Sequence, residues 1–312
     1  MVLLDERHEK PSRWTQPIND QNKYSWGRIQ NHNMVLACLP KGVYGTTNAA
    51  TVAATMLSSF TSIRIGLTRE IRLGDVVIGR PGDDGGGGVV QYDRGKATAD
   101  AKFGRTGVLD KPPMVLLTAM SDLESKQMRG ELRIPAMIAG VSEDMKVRWG
   151  FRYQSAHSDP LLQASDEQQD RSTLPVLWFG TIASGNAVVK SARKTAEIVR
   201  LAGKDTVCIE MEAAGLMDGF PCLVVRGICD YADAGKNDKW QNYAALTAAA
   251  AAKELLWDMD ADEVRSTKKA TDTIAKNSSG GSNEHLRERL EKVEMQLDEL
   301  RQRVKDLGKR KK

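Results

Sequence analysis

The sequence predicts an α/β fold, and three observations carry that prediction. The first is a set of short apolar runs, among them Val176 to Ile182, Val207 to Ile209 and Cys222 to Val225. Runs of this length without polar alternation suit strands covered on both faces. The second is the helical stretches between them, such as Met211 to Gly219, which Gly219 stops just before Pro221. Strand, helix and strand from Val207 to Val225 read as a β-α-β unit of a parallel sheet. The third is charge at the carboxyl ends of those strands: Glu210 and Glu212 after the first, Arg226 and Asp230 after the second. Ligands of open α/β sheets bind at strand carboxyl ends, so three acids and an arginine mark a candidate small-molecule site.

The other elements follow in order. Residues 1 to 23 are polar, contain Pro11 and Pro17, and read as loop. Tyr24 to Ile29 and Met34 to Leu39 read as a strand pair around the polar turn Gln30 to Asn33. Gly42 and Gly45 make a tight turn into a helix from Thr46 to Phe60. The N–H groups there either form an anion site at a helix start or belong to a plain strand-to-helix turn. Ile63 to Leu67 and Val76 to Ile78 are strands, and PGDDGGGG (81 to 88) is a low-complexity loop. Residues 98 to 172 carry the weakest pattern: Pro112 to Leu123 is helical, Asp159 to Arg171 is a polar loop, and His157 reads as a solvated surface histidine. Val176 to Ile182 leads into the turn Ser184-Gly185-Asn186, and Lys190 to Ala202 is a helix. The Ala-rich Trp240 to Trp257 is a helix that closes the domain.

At 312 residues the chain has room for one large α/β domain, residues 1 to 258, and an appendage. No apolar run approaches the ~18 residues of a membrane span, and the first residues lack a signal-peptide core. Cys38, Cys208, Cys222 and Cys229 form no CxxC pair. They read as reduced core residues of an intracellular, cytoplasmic protein, with no metal site and no cofactor. The net charge is +4. Ten Lys/Arg against seven Asp/Glu from Asn283 onward account for +3 of it. The nearly neutral remainder argues against a nucleic-acid partner.

Residues 259 to 282 are polar, end in SSGGS, and read as a flexible linker. Beyond it Leu286, Leu290, Val293, Leu297, Leu300, Val304 and Leu307 alternate steps of four and three, a heptad seam. Residues 283 to 308 therefore read as a coiled-coil helix that makes a homo-oligomer, followed by a basic tail, 309 to 312.

The run IEMEAAGL (209 to 216) followed by PCLVVRGICDYAD (221 to 233) closely resembles the nucleoside phosphorylase and nucleosidase superfamily. It looks most like the purine nucleoside phosphorylase-like domains of filamentous fungi. LACLPKGVYGTTNAA (36 to 50), IRLGDVVIG (71 to 79), GVVQYDRGKA (88 to 97) and FGTIASGNAVVK (179 to 190) occur in the family's order. The resemblance spans roughly residues 20 to 257. It implies a three-layer α/β/α domain with a mixed central sheet and no membrane association. It also implies cleavage of the bond between ribose C1′ and a purine nitrogen.

The resemblance assigns roles residue by residue. Asp230 matches the acid that protonates or hydrogen-bonds purine N7, so that the base leaves neutral. Glu212 matches the residue that binds the ribose hydroxyls, and Met211 the one that packs on the sugar. Ser184 begins the turn that meets the purine, with Val188 and Val189 as its apolar wall. Arg226 orients the acids, while Glu210 reads as a buried ion-pair partner of an arginine. The second substrate is water or phosphate, and Gly42 and Gly45 lie where an anion would be cradled. Two family elements have no counterpart in the sequence: the opening strand with its catalytic glutamate, and a glycine-rich loop after Leu67. Val2 to His8 reads as the remnant of the helix that follows that strand. Two functions follow: a purine nucleosidase or phosphorylase, or a catalytically impaired nucleoside-sensing scaffold held together by its coiled coil.

Overall fold

The computed structural model describes residues 3–12, 14–17, 20–39, 45–59, 66–68, 73–82, 86–97, 103–154, 174–203, 205–217, 220, 222–230, 232 and 239–267. Gly42, His157, the loop 159 to 171, most of the linker, the heptad seam and the basic tail lie outside them.

A mixed sheet forms the centre. Across it run β10 (Thr206–Glu210), β9 (Leu177–Ser184), β5 (Val76–Gly79), β11 (Cys222–Gly227) and β4 (Gly66–Thr68). A sixth strand, β6 (Val89–Gln91), pairs with the second half of β9, after β5 has paired with the first half. The expectation of a parallel β-α-β unit is corrected here. β10, β9 and β5 are mutually parallel, but β11 runs antiparallel to β5 and parallel to β4. An apolar run buried on both faces looks the same in either direction, so local pattern could not fix the sense of β11. The mixed sheet that the resemblance implies is what the structure has.

Eight helices are described: α1 (Thr46–Ser59), α2 (Met114–Arg129), α3 (Ile134–Ala139), α4 (Glu143–Arg148), α5 (Ala192–Ala202), α6 (Ala213–Met217), α7 (Gln241–Trp257) and α8 (Ala261–Ser266). The main core joins Val76, Ile78, Leu177, Leu223 and Val225 of the sheet to α2, α3 and α7. Alanines at 250 and 251 are fully buried in it, because small side chains let α7 lie close on the strands. A smaller core joins Val90, Ala183 and Val189 to Ile198 and Ala202 of α5. Gln127 of α2 closes the start of β9: its amide donates to Leu177 O at 2.8 Å and accepts from Leu177 N at 2.7 Å.

The N-terminal stretch differs from expectation. Instead of loop and a helical remnant, β1 (Glu6–His8) pairs antiparallel with β2 (Tyr24–Ile29), which pairs with β3 (His32–Ala37). The reason is an anchor the local sequence does not reveal. Lys253 of α7 donates to Leu3 O at 3.0 Å and pairs with the Asp5 carboxylate, whose other oxygen accepts Gln30 N–H at 2.7 Å. The turn between β2 and β3 is also tighter than expected, because Gln30 adopts φ 48°. β7 (Gly95–Ala97) and β8 (Phe103–Arg105) form an unforeseen hairpin.

The chain stays ordered past residue 258. Asp260 caps α8 by accepting from Asp262 N at 2.7 Å and Glu263 N at 3.1 Å, and Val264 packs on the main core. The helical α8 thus occupies what reads as the start of a flexible linker. No helix among the described residues is long and apolar enough to cross a membrane, and no His, Cys, Asp and Glu cluster among them could hold a metal ion.

Candidate functional site

The site begins with Glu210, the last residue of β10, which is buried. Its Oε2 accepts N–H bonds from Glu212 at 2.9 Å and Ala213 at 2.7 Å. These are donors that the start of a helix leaves unsatisfied, so Glu210 holds the entry to α6. Ser184, at the end of β9, does the same one residue on, its Oγ accepting Ala214 N–H at 2.9 Å. Arg226 of β11 stands 3.5 Å from Glu210 Oε2. That is the buried acid and arginine pair expected of Glu210, although β10 and β11 are not adjacent strands. Burial pushes the Glu210 carboxyl above the ordinary carboxylate range, against the pull of Arg226, Ser184 and the two N–H groups. The neighbouring Cys222 thiol is pushed up to about 12 by burial and the Glu210 charge, which favours its neutral form.

The cap turns Glu212 toward α1. Its Oε1 accepts Gly45 N–H at 3.4 Å, and its Oε2 is buried without a hydrogen-bond partner among the described residues. The approach depends on Gly215. A Cβ there would sit 1.8 Å from the carbonyl oxygen of Thr46, so only glycine lets α6 cross the start of α1. Gly45, at φ 102°, lies in the left-handed region that favours glycine.

Asn186 closes the other side. Its Oδ1 accepts from Thr46 N at 3.3 Å and Thr46 Oγ1 at 3.1 Å, while Asp93 accepts both its backbone and its amide N–H. Tyr92 lies flat under Gly185, where an added Cβ would meet its ring at 2.4 Å. The Tyr92 hydroxyl is buried. Its pKa is raised by burial, against the pull of a hydrogen bond with the Ala187 backbone, with the charges of Asp93 and Glu210 adding to the rise.

Asp230 follows β11 by three residues and is half-buried. Its Oδ1 accepts Ala232 N–H at 2.9 Å, and Cys229 Sγ lies 3.6 Å from Oδ2. Ala232 holds φ 53°, a conformation that costs an L residue about 1 kcal/mol or more, and its carbonyl accepts from Thr195 Oγ1 of α5. Met211 is half-buried at the bend between β10 and α6.

Contacts therefore gather Glu212, Gly45 and Ser184 with Glu210 and Arg226. Asp230 is set by its own turn beside α5. The two valines expected to form one wall divide: Val188 is 57% exposed, whereas Val189 is packed in the smaller core. Tyr92, Asp93, Thr46 and Asn186 were not singled out as site residues from sequence. The only signal for them was membership in the quoted motifs.

No family model matches the chain. Over 281 residues it is 38% identical to a nucleotide-binding leucine-rich repeat (NLR)-like protein of Hyaloscypha variabilis, an alignment covering 82% of this chain and 27% of that protein. Over 218 residues it is 26% identical to the ATP nucleosidase Cap17 of Escherichia coli, covering 66% of this chain and 38% of that protein. The chain thus spans well under half the length of these relatives. Among solved structures, the 5′-methylthioadenosine/S-adenosyl homocysteine nucleosidase of Helicobacter pylori superposes with a TM-score of 0.51 at 17% identity, covering 81% of this chain and 90% of that one. The futalosine hydrolase of Helicobacter pylori gives 0.50 at 17% identity, covering 81% and 89%. The chain has the fold of the nucleoside phosphorylase and nucleosidase superfamily, the family its motifs resemble.

Proposed function

We propose that this domain cleaves the N-glycosidic bond of purine nucleosides and releases the free base. The observation that carries the reading is Glu212. Its Oε2 is buried and, among the described residues, without a partner, on a side chain held from both ends by the Glu210 cap and the Gly45 N–H. A buried acceptor left unmade costs about 1–3 kcal/mol. A ribose hydroxyl that donates to it recovers that energy on binding. Once the sugar gains oxocarbenium character, a carboxylate that binds its hydroxyl also stabilises the positive charge.

Departure of the base is the difficult half of the reaction, because a purine anion is a poor leaving group. In this reading Asp230 delivers a proton to N7, and Val188 contacts the base with its exposed face. A carboxyl acid must hold its proton at neutral pH to do this, through desolvation under the bound purine. Water or phosphate then takes the ribosyl carbon. Arg226 fixes the Glu210 carboxylate and through it the start of α6. The relative named as an ATP nucleosidase supports extending the substrate from nucleosides to their 5′-phosphates.

The test is incubation of the purified chain with adenosine, inosine and methylthioadenosine, with and without phosphate, following free base. Release without phosphate supports a hydrolase, and release only with phosphate supports a phosphorylase. Saturable binding without release replaces the reading with a nucleoside-sensing module.

A further inference from the structure

The turn Ser184 to Asn186 is fixed from two strands. Gly185 N–H donates to Glu210 O at 3.0 Å, and Tyr92 N–H donates to Ser184 O at 3.0 Å. Asn186 is the part of the turn that reaches across to α1. Its Oδ1 accepts from Thr46 N at 3.3 Å and from Thr46 Oγ1 at 3.1 Å. Asp93 Oδ2 holds its other end, accepting Asn186 N–H at 2.8 Å and Nδ2–H at 3.1 Å. Asp93 is tied in turn to β6, its Oδ1 accepting from Gln91 Nε2 at 3.1 Å. The chemistry above does not use this bridge.

An amide suits the bridge because its two ends differ. Oδ1 only accepts and Nδ2 only donates, so a single orientation meets both the Thr46 donors and the Asp93 acceptor. The bridge also ends one residue from the N–H that Glu212 uses, since Gly45 donates to Glu212 Oε1 at 3.4 Å. Gly45 itself passes close to Asn186: an added Cβ would lie 3.2 Å from Oδ1. The start of α1 thus meets Asn186 on one side and the close approach of Gly215 to Thr46 on the other.

We propose that Asn186 is a positioning residue for Glu212. Held by Asp93, it places the Gly45 to Thr46 start of α1, and with it the carboxylate that receives the ribose hydroxyls. The inference rests on the N-glycosidic reading above for its ligand. It concerns how the sugar is held, which binding reports whether or not the bond is cleaved.

The full chain is compared on adenosine and on 2′,3′-dideoxyadenosine, which lacks both ribose hydroxyls. The readouts are kcat/KM for base release and, separately, affinity by calorimetry. Asn186→Asp keeps an acceptor for Thr46 but faces Asp93 with a second carboxylate, and like charges repel. It should lower kcat/KM on adenosine about 10-fold, the scale of a lost hydrogen bond, and leave the dideoxy analogue nearly unchanged. Adding Asp93→Asn supplies a donor opposite the new carboxylate and should recover the wild-type ratio between the two substrates. Asn186→Ala should show the same loss and gain nothing from Asp93→Asn. In a Glu212→Gln background Asn186→Ala should cost little more, because residues that act through one another are not additive. No loss on adenosine, equal losses on both substrates, full additivity with Glu212→Gln, or no rescue by the exchange overturns the proposal. If no chain releases base, the cleavage reading falls, and the ratio of affinities for adenosine and the dideoxy analogue decides the positioning role by the same pattern. A wild type that binds the two equally, or binds neither, overturns it.

Discussion

Glu210 sits where a charge is expensive, and its partners only partly offset the cost. Two N–H donors and Arg226 favour the carboxylate, yet burial dominates and raises its pKa above the ordinary 4.5. The folded chain therefore keeps this proton to higher pH than the unfolded chain does. Its contribution to stability is fully present below pH 4.5 and is lost as pH rises through the folded pKa. Glu210→Gln carries no such proton, so the melting-temperature gap between wild type and variant should shift against the wild type across that window. A gap that stays constant with pH would refute the assignment. The amide oxygen of the glutamine still accepts from Glu212 and Ala213, whereas Glu210→Ala removes the cap at a cost of about 1 kcal/mol and loosens Glu212. At Asp230 the expectation concerns rate. Asp230→Asn should lower kcat roughly 10²-fold or more with little change in KM, as loss of a general acid requires. An unchanged kcat in steady-state assays removes Asp230 from the chemistry.

The crossing of α6 over α1 is the element-scale feature that makes the site. It places the Gly45 N–H on Glu212, and it exists because Gly215 has no Cβ. Gly215→Ala must push the helices apart, which at the usual price of overpacking costs about 1–3 kcal/mol, or roughly 2–10 °C in a domain of this size. Activity should fall more than stability alone explains, because the Glu212 to Gly45 bond is stretched. Full activity with a lowered melting temperature would separate the crossing from function. This crossing also marks where the sequence stops being legible. The apolar runs at β5, β9, β10 and β11 and the periodic helices α1, α5 and α7 lie within a residue or two of where pattern puts them. Those signals are local. The direction of β11, the change of partner along β9 and the anchoring of β1 by Lys253 depend on residues far apart in the chain, and no window of sequence contains them. The site divides the same way. Glu210, Glu212, Arg226 and Asp230 were legible as charges abutting buried strands. Asn186, Tyr92 and Asp93 were not, because a polar residue in a turn reads as solvated until its partners across the fold are known.

At the scale of the whole molecule, the question is whether the domain acts alone. The heptad seam from Leu286 to Leu307 lies outside the described residues, so its role is a proposal from sequence: residues 283 to 308 bring copies of the domain together. Twenty-six residues of helix span about 39 Å at 1.5 Å per residue, with only the a and d positions apolar. So narrow a stripe gives an isolated helix little reason to form in water, whereas pairing buries its leucines and valines together. Arg289 and Glu294 occupy g and following e positions with opposite charge, as paired helices prefer. We propose, from sequence alone, that the Ser- and Gly-containing stretch before the seam is a linker that lets the domains face one another in many ways, so that assembly would raise local concentration without dictating a site between copies. Light scattering on the full chain and on a chain ending at Ser282 tests this at one concentration. The full chain should have a mass two or more times that of the shortened one, and Leu297→Pro should return it to the lower value, since proline in a helix interior costs about 3 kcal/mol. Equal masses for the two chains, with no effect of Leu297→Pro, would mean that the seam belongs to a helix packed on its own domain or on a different partner.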